Sequence, residues 1–306
     1  MSFLRRWRQQ RARRAGRRVD EREERGRLRQ WFLLAGRCDA SQLTAPPVAS
    51  LAPIYPPDDA FWADPFCWPA PGGYVVFFEE LPFATGRGHI SALPLDGDGR
   101  PAGAAVRVLA EDCHLSYPFL FAHGGELYMI PEKGSARRVD VYRCVQFPER
   151  WERVRTLIDS AALRDATLFE HEGRWWLFCS MTRGRLRANE SLVAFHADSP
   201  LSDRWIPHPG NPLVRDFSRG RPAGRILRLA DGALLRPSQD CVRRYGHGLN
   251  LSEIVTLSPR RYAERLVWKA SGEQVGGWHG LHHLDWCDGM LVMDAQRLIP
   301  APGAGG

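Results

Sequence analysis

The first fifty residues of this 306-residue chain offer no apolar run longer than Trp31-Phe32-Leu33-Leu34-Ala35. That is far short of a membrane span or the apolar core of a signal peptide, so neither bilayer insertion nor signal-directed secretion is expected. The seven cysteines, at 38, 67, 113, 144, 179, 241 and 287, stand singly and form no paired spacing. A disulfide framework and a zinc site are therefore not expected, and reduced thiols in a cytoplasmic setting are. Glycine-rich phosphate loops are also lacking, because Gly86-Arg87-Gly88 is too short and lies among strand-forming residues. No nucleophile elbow supports a Ser-His-Asp arrangement.

What the chain does have in excess is positive charge, and that charge is local. Of the net +7, residues 1–30 supply a surplus of eight, from twelve Arg against Asp20, Glu21, Glu23 and Glu24. The rest of the chain is almost neutral. The head, with Leu4 and Trp7 among Arg5, Arg6, Arg8, Arg11, Arg13 and Arg14, reads as a solvated, partly helical or disordered extension over residues 1–50. Contact with an anionic membrane surface is its second use, which places the protein in the cytoplasm or at the inner face of the membrane. Nucleic acid is not an expected partner, since no basic patch or recognition motif accompanies the head.

Five copies of one pattern follow, about fifty residues apart: a polar residue, a small residue or proline, an apolar strand, a turn and a second apolar strand. They begin at Ala63-Asp64-Pro65-Phe66, Ser116-Tyr117-Pro118-Phe119, Arg164-Asp165-Ala166-Thr167, Arg221-Pro222-Ala223-Gly224 and Gly280-Leu281-His282-His283. The turns, Pro71-Gly72-Gly73, Gly124-Gly125, Glu172-Gly173, Asp231-Gly232 and Asp288-Gly289, supply the positive φ of tight hairpins. Further alternating runs, such as Val139-Asp140-Val141-Tyr142-Arg143, supply outer strands. The expectation is an all-β fold, a five-bladed β-propeller over residues 51–300 with a disordered tail over 301–306. A two-sheet sandwich is the rival. Trp151 and Trp205, in proline-rich corners, are assigned to packing.

A propeller sets the first strand of each blade against a central axis. Residues distant in sequence then converge on one funnel: Asp64, His114, Ser116, Tyr117, Asp165, Arg221 and His282. One of Glu79-Glu80 should point inward, with Glu80 held as a further carboxylate. His282-His283 with Asp285 raise the question of a metal, but neighbouring residues of a regular strand face opposite sides, so one His alone should reach the funnel. Neither metal nor cofactor is expected.

Several runs carry a family resemblance: His114 to Phe119, Pro131-Glu132, Phe147-Pro148 to Trp151, Asp165 to Phe169 with Gly173 to Phe178, Arg221 to Gly224, Arg236-Pro237-Ser238-Gln239-Asp240 and Tyr245-Gly246. In this order they resemble the N-terminal domain of glucosamine inositolphosphorylceramide transferases, over about residues 58–298. A similar domain occurs in bacterial polysaccharide-biosynthesis proteins, some fused to formyltransferase-like modules. More distantly, Ala63-Asp64-Pro65 and Asp165-Ala166-Thr167-Leu168-Phe169 are similar to signatures of the five-bladed glycosidases of glycoside hydrolase families 43, 32 and 68.

That resemblance implies roles. Glycosidic chemistry pairs a base or nucleophile with a protonated carboxyl. Asp64 takes the first role, and Asp165 resembles the aspartate that orients the sugar and raises the pKa of the acid. The blade-four glutamate of the glycosidases is replaced here by Arg221-Pro222-Ala223-Gly224, and arginine does not donate a proton at neutral pH. Either Glu132 or Asp240 is then the acid, or the substrate is an activated or anionic sugar whose phosphate leaves unaided. Arg221, Arg236, His114 and His282, with Ser116, Tyr117, Gln239 and Glu80, are the expected binding residues. A sugar, sugar phosphate or nucleotide sugar is the expected ligand, and a glycosyltransferase or formyltransferase the expected protein partner. Two functions stay open: a carbohydrate-active enzyme of polysaccharide or glycolipid synthesis, favoured by the carboxylates, and a non-catalytic glycan-binding propeller, favoured by the missing glutamate.

Overall fold

The structure, a computed structural model, describes residue 9, residues 24–134 and residues 136–301. Five antiparallel sheets form a five-bladed β-propeller. Blade one contains Ala60–Ala70, Gly73–Pro82, His89–Asp96 and Val106–Leu109; blade two contains Ser116–His123, Glu126–Glu132, Val139–Gln146 and Arg150–Ile158. Blade three contains Leu163–His171, Arg174–Met181, Ser191–Ala197 and Ile206–Pro207, with Val214–Arg215 also paired to its third strand. Blade four contains Leu227–Arg228, Leu234–Asp240, Gly248–Leu257 and Tyr262–Ser271.

Blade five shows how the ring closes. Gly280–Cys287 and Met290–Pro300 come from the C-terminal end, and Arg27–Arg37 completes the sheet, pairing from Arg27 opposite Pro300 to Arg37 opposite Met290. Ala52–Ile54 adds a fourth strand. The extension expected over 1–50 is corrected here: from Arg27 onward it is propeller. Trp31 to Ala35, too short to span a membrane, is a core strand. The helix or disorder expected for the rest of the head falls, apart from Gln9, on residues 1–23 outside those described, as do the last five residues of the expected tail. No described helix is long and apolar enough to cross a membrane.

The blades are held by apolar side chains wedged between neighbours. One cluster joins Phe66 and Phe77 of blade one to Phe119 and Ile130 of blade two and Leu177 of blade three. Others join blade three to four through Phe178 and Ile226, four to five through Leu249 and Leu291, and five to one through Leu33 and Phe78. Each such buried side chain contributes about 1.5–3 kcal/mol. Both faces of a blade's second strand are covered, which is why Tyr74 to Phe78 is buried without alternation. Trp151 packs edge-on against Phe77, and Trp205 is buried.

Blade four departs from the repeat. Its inner strand has only two residues, preceded by an isolated Pro222–Ser238 bridge. Pro222 carries no amide hydrogen and Gly224 turns the backbone to φ 134°, so Arg221 to Ile226 runs as irregular chain where the sequence pattern predicts strand.

Candidate functional site

The inner strands of blades one, two, three and five share a local defect. Their pairing slips between Ala63 and Phe66, Ser116 and Phe119, Arg164 and Thr167, and Leu281 and His283. At the first three slips Asp64, Tyr117 and Asp165 adopt φ of 53°, 45° and 53°, a region that side chains other than glycine's seldom occupy. Such bulges re-aim a side chain and free a backbone N–H, and backbone strain of this kind concentrates at functional sites.

Acidic side chains take N–H groups at the slips of blades one, three and five. Asp64 N–H donates to Asp294 Oδ2 at 2.9 Å, and Asp165 N–H to Glu132 Oε2 at 3.3 Å. Gly224 N–H donates to the Tyr117 hydroxyl at 2.9 Å, and that hydroxyl bonds Thr167 Oγ1 at 2.7 Å. Asp294 Oδ1 receives the N–H groups of His282 and His283 at 3.2 and 3.0 Å. Glu79, Glu132 and Asp294 occupy related places on the second strands of blades one, two and five, opposite Ala63, Ser116 and His283. Of this second ring of acids the sequence reading held Glu132 and expected one of Glu79 and Glu80 to point inward, without choosing Glu79, and it missed Asp294. The ring's signal is present: an acid stands fifteen residues after both Asp64 and Tyr117.

The carboxyls fall into two pairs, each with one ionised member. Asp165 is clamped by Arg221, Nε to Oδ2 at 2.5 Å and Nη2 to Oδ1 at 3.1 Å. Burial pushes its pKa up, but Arg221 and the hydrogen bond from Glu132 outweigh it and leave Asp165 below the usual carboxylate range. The neighbouring Glu132 is pushed up to about 8, first by burial and then by the Asp165 charge, and keeps its proton. Arg164 Nη1 meets Glu132 Oε1 at 2.5 Å. In the other pair, His282 Nδ1 lies 2.7 Å from Asp294 Oδ1 and helps hold Asp294 ionised against the cost of burial. Burial, then Glu79, Asp294 and Asp165, raise Asp64 well above its ordinary value. Environments that drive neighbouring carboxyls apart are how acid and base roles are divided.

Both imidazoles of blade five approach Asp64. His282 Nε2 is 3.7 Å and His283 Nδ1 3.6 Å from Asp64 Oδ1. The expectation that only one reaches the funnel is corrected by the bulge, which breaks the strict alternation. Asp285 is not their partner: it binds Arg225 Nε at 2.9 Å and takes the Cys67 N–H. Asp64, His282 and Asp294 instead offer two carboxylate oxygens and one imidazole nitrogen within 4.8 Å of one another, a set able to take a hard divalent cation once Asp64 loses its proton. Burial lowers His283 to about 3, and its ring packs against Phe66 and Tyr117.

The remaining expected residues divide. His114 hydrogen-bonds Glu79, Nε2 to Oε1 at 3.1 Å, which raises its pKa. Ser116 lies buried opposite Glu132, and Gln239 donates its backbone N–H to the Arg221 carbonyl at 2.9 Å. Glu79, not Glu80, faces Asp64; Glu80 bonds His89 and Ser91, which lowers it to about 2. Arg236 is corrected as a funnel cation: its guanidinium is spent on Glu264, at 2.8 and 3.0 Å, and on the Arg219 carbonyl. Asp240 turns back on the Val242 N–H at 2.9 Å, and among the described residues no hydrogen bond or ion pair joins it to Asp64, Glu132 or Asp165. Glu132 is thus the carboxyl beside Asp165. Two aromatics complete the site: Tyr245, with Arg221 over its ring at 4.9 Å, and Trp31 of the closing strand, stacked on His282 at 3.9 Å. Beside Arg221 opens a recess of about 410 Å³.

Fold and site define a five-bladed propeller with paired carboxyls at the bulges of its inner strands. The chain belongs to the family described as glucosamine inositolphosphorylceramide transferase 1, N-terminal, which matches residues 43–291. It is 35% identical over 253 residues to glucosamine inositolphosphorylceramide transferase 1 of Oryza sativa subsp. japonica, covering 78% of this chain and 33% of that protein. The protein of that name from Arabidopsis thaliana is 35% identical over 236 residues, 74% of this chain and 30% of its own length. The chain therefore spans about a third of these relatives. Among solved structures, an α-L-arabinofuranosidase from Podospora anserina in complex with cellotriose superposes with a TM-score of 0.56 at 11% identity, over 77% of this chain and 90% of that one. A thermostable family-43 glycoside hydrolase gives 0.53 at 11% identity, over 71% and 80%. These likenesses establish the fold.

Proposed function

We propose that this domain is a carbohydrate-active propeller that takes an activated or anionic sugar and makes or processes its glycosidic linkage during synthesis of a cell-surface polysaccharide or glycolipid. The observation that carries this reading is the pair of split carboxyls. Glu132, protonated beside ionised Asp165, is suited to serve a leaving oxygen in place of the absent blade-four glutamate. Asp64, with His282 Nε2 and His283 Nδ1 at 3.7 and 3.6 Å from its Oδ1, is placed to act as the base or nucleophile once ionised. The charge surplus of residues 1–30 supports attachment at the cytoplasmic face of a membrane, beside a glycosyltransferase or formyltransferase partner.

One observation favours the second reading, a glycan-binding module: both oxygens of Asp165 are taken by Arg221, and Asp64, Glu132 and Asp165 are each at most 6% exposed. Turnover and binding on nucleotide sugars, sugar phosphates and neutral oligosaccharides separate the two. For the enzyme, Asp64→Asn and Glu132→Gln each lower turnover by about 100-fold or more while binding stays within a few-fold. Saturable binding with no turnover of any member by the unaltered protein establishes the module, and absence of both removes the carbohydrate proposal.

A further inference from the structure

The recess beside Arg221 carries more positive charge than its carboxylates balance. Arg164, Thr182, Arg187, Asn189 and Arg221 line it. Arg221 is committed on every side, to Asp165, to Asn189 Oδ1 at 2.9 Å and to the Tyr245 ring. Among the described residues Arg164 is ion-paired with Glu132 alone, and it keeps 41% of its side chain exposed. Arg187 is exposed, and its guanidinium makes no hydrogen bond or ion pair among the described residues. It leaves a tight loop of blade three, closed by mutual backbone bonds between Arg183 and Leu186 at 3.1 and 3.0 Å, on which Arg183 and Arg185 are exposed as well. With the proton on Glu132, three guanidinium groups face one ionised carboxylate, so two positive charges are unbalanced.

We infer that this recess is a subsite for a phosphate ester, a phosphate monoester or pyrophosphate carried by a sugar or polyol, held by Arg164 and Arg187 with the Asn189 amide beside them. The inference rests on the carbohydrate reading and says where that substrate's phosphate sits. Two unbalanced guanidiniums match a dianion, whose oxygens accept the planar donor fork of arginine, whereas a sugar carboxylate cancels only one charge. The arrangement also makes binding depend on the Glu132 proton: losing it returns a counter-charge to Arg164, so affinity falls as pH rises through about 8.

Titration calorimetry on the full chain tests this with inorganic pyrophosphate, uridine diphosphate and inositol 1-phosphate, with glucuronate as the carboxylate control. Saturable binding of a phosphate probe is expected, weakened about tenfold or more by Arg187→Ala and by Arg164→Ala, and unchanged by Arg107→Ala on the outer strand of blade one. Co-sedimentation with phosphatidylcholine vesicles, with and without phosphatidylinositol 4-phosphate, whose headgroup bears a phosphate monoester, identifies the source. Arg187-dependent retention by phosphatidylinositol 4-phosphate points to a lipid headgroup; phosphate binding in solution without it points to a soluble sugar phosphate; either supports the subsite. The inference is overturned if no phosphate probe binds, if both recess variants bind like the unaltered protein, or if glucuronate binds as tightly as pyrophosphate. Turnover or binding of neutral oligosaccharides that persists in those cases leaves the broader reading standing.

Discussion

Glu132 lies against the guanidinium of Arg164 and near that of Arg221, yet holds its proton, because burial and the ionised Asp165 outweigh both cations. That proton has a consequence for stability. Below pH 4.5, the ordinary value for the group, folded and unfolded chains are both protonated at this residue; between 4.5 and about 8 the unfolded chain releases the proton and the folded chain keeps it. The contribution of Glu132 to stability is therefore complete below that window and declines as pH rises through it, by at most about 1.4 kcal/mol per pH unit. Glu132→Gln preserves the shape and removes the titration. Urea unfolding across the window should show the stability of the unaltered protein falling relative to the variant; parallel pH profiles would mean that Glu132 is ionised in the folded state.

At the scale of the element, the bulge governs the site, and Gly224 is its blade-four counterpart. A Cβ at this position would stand 1.8 Å from the Leu284 carbonyl oxygen, at a φ of 134° that other residues avoid. Gly224→Ala is expected to cost about 3 kcal/mol or more, combining backbone strain with overpacking. Denaturant midpoints check this, and a loss under 1 kcal/mol would show that the irregular segment yields easily. The same scale explains what could be read in advance. The hairpin turns were legible because Glu172-Gly173 and Asp288-Gly289 reach positive φ through local chemistry, as the structure confirms. Asp64, Tyr117 and Asp165 were legible as equivalent repeat positions. Asp294 was not, and Glu79 was legible as one of two neighbouring acids without being chosen over Glu80, since their place depends on register across a strand pair, and the two-His approach to Asp64 was hidden by a bulge that alternation does not foresee. Arg236 and Asp240 misled because proximity to Arg221 in the repeat pattern does not reveal that Glu264, on the blade's outer strand, captures Arg236.

The whole molecule is a ring joined at one seam, where Arg27–Arg37 pairs with Met290–Pro300 along its full length. Phe32 and Leu34 from this strand enter the core between blades four and five, and Leu33 the core between blades five and one. Removing residues through Arg37 should abolish cooperative unfolding and expose dye-binding apolar surface, measured by calorimetry and fluorescence. A deletion that unfolds cooperatively with an unchanged midpoint would show that four complete blades hold the fifth without it.

The seam also sets the order in which this molecule becomes competent. Trp31 emerges from the ribosome more than two hundred and fifty residues ahead of His282, the ring it stacks upon. The early strand must wait as an unsatisfied edge until residues 290–300 have been made, a period in which a chaperone would be its natural shelter. No nascent chain that stops short of Asp294 can assemble the Asp64–His282–Asp294 cluster, so the site is among the last parts of the propeller to form.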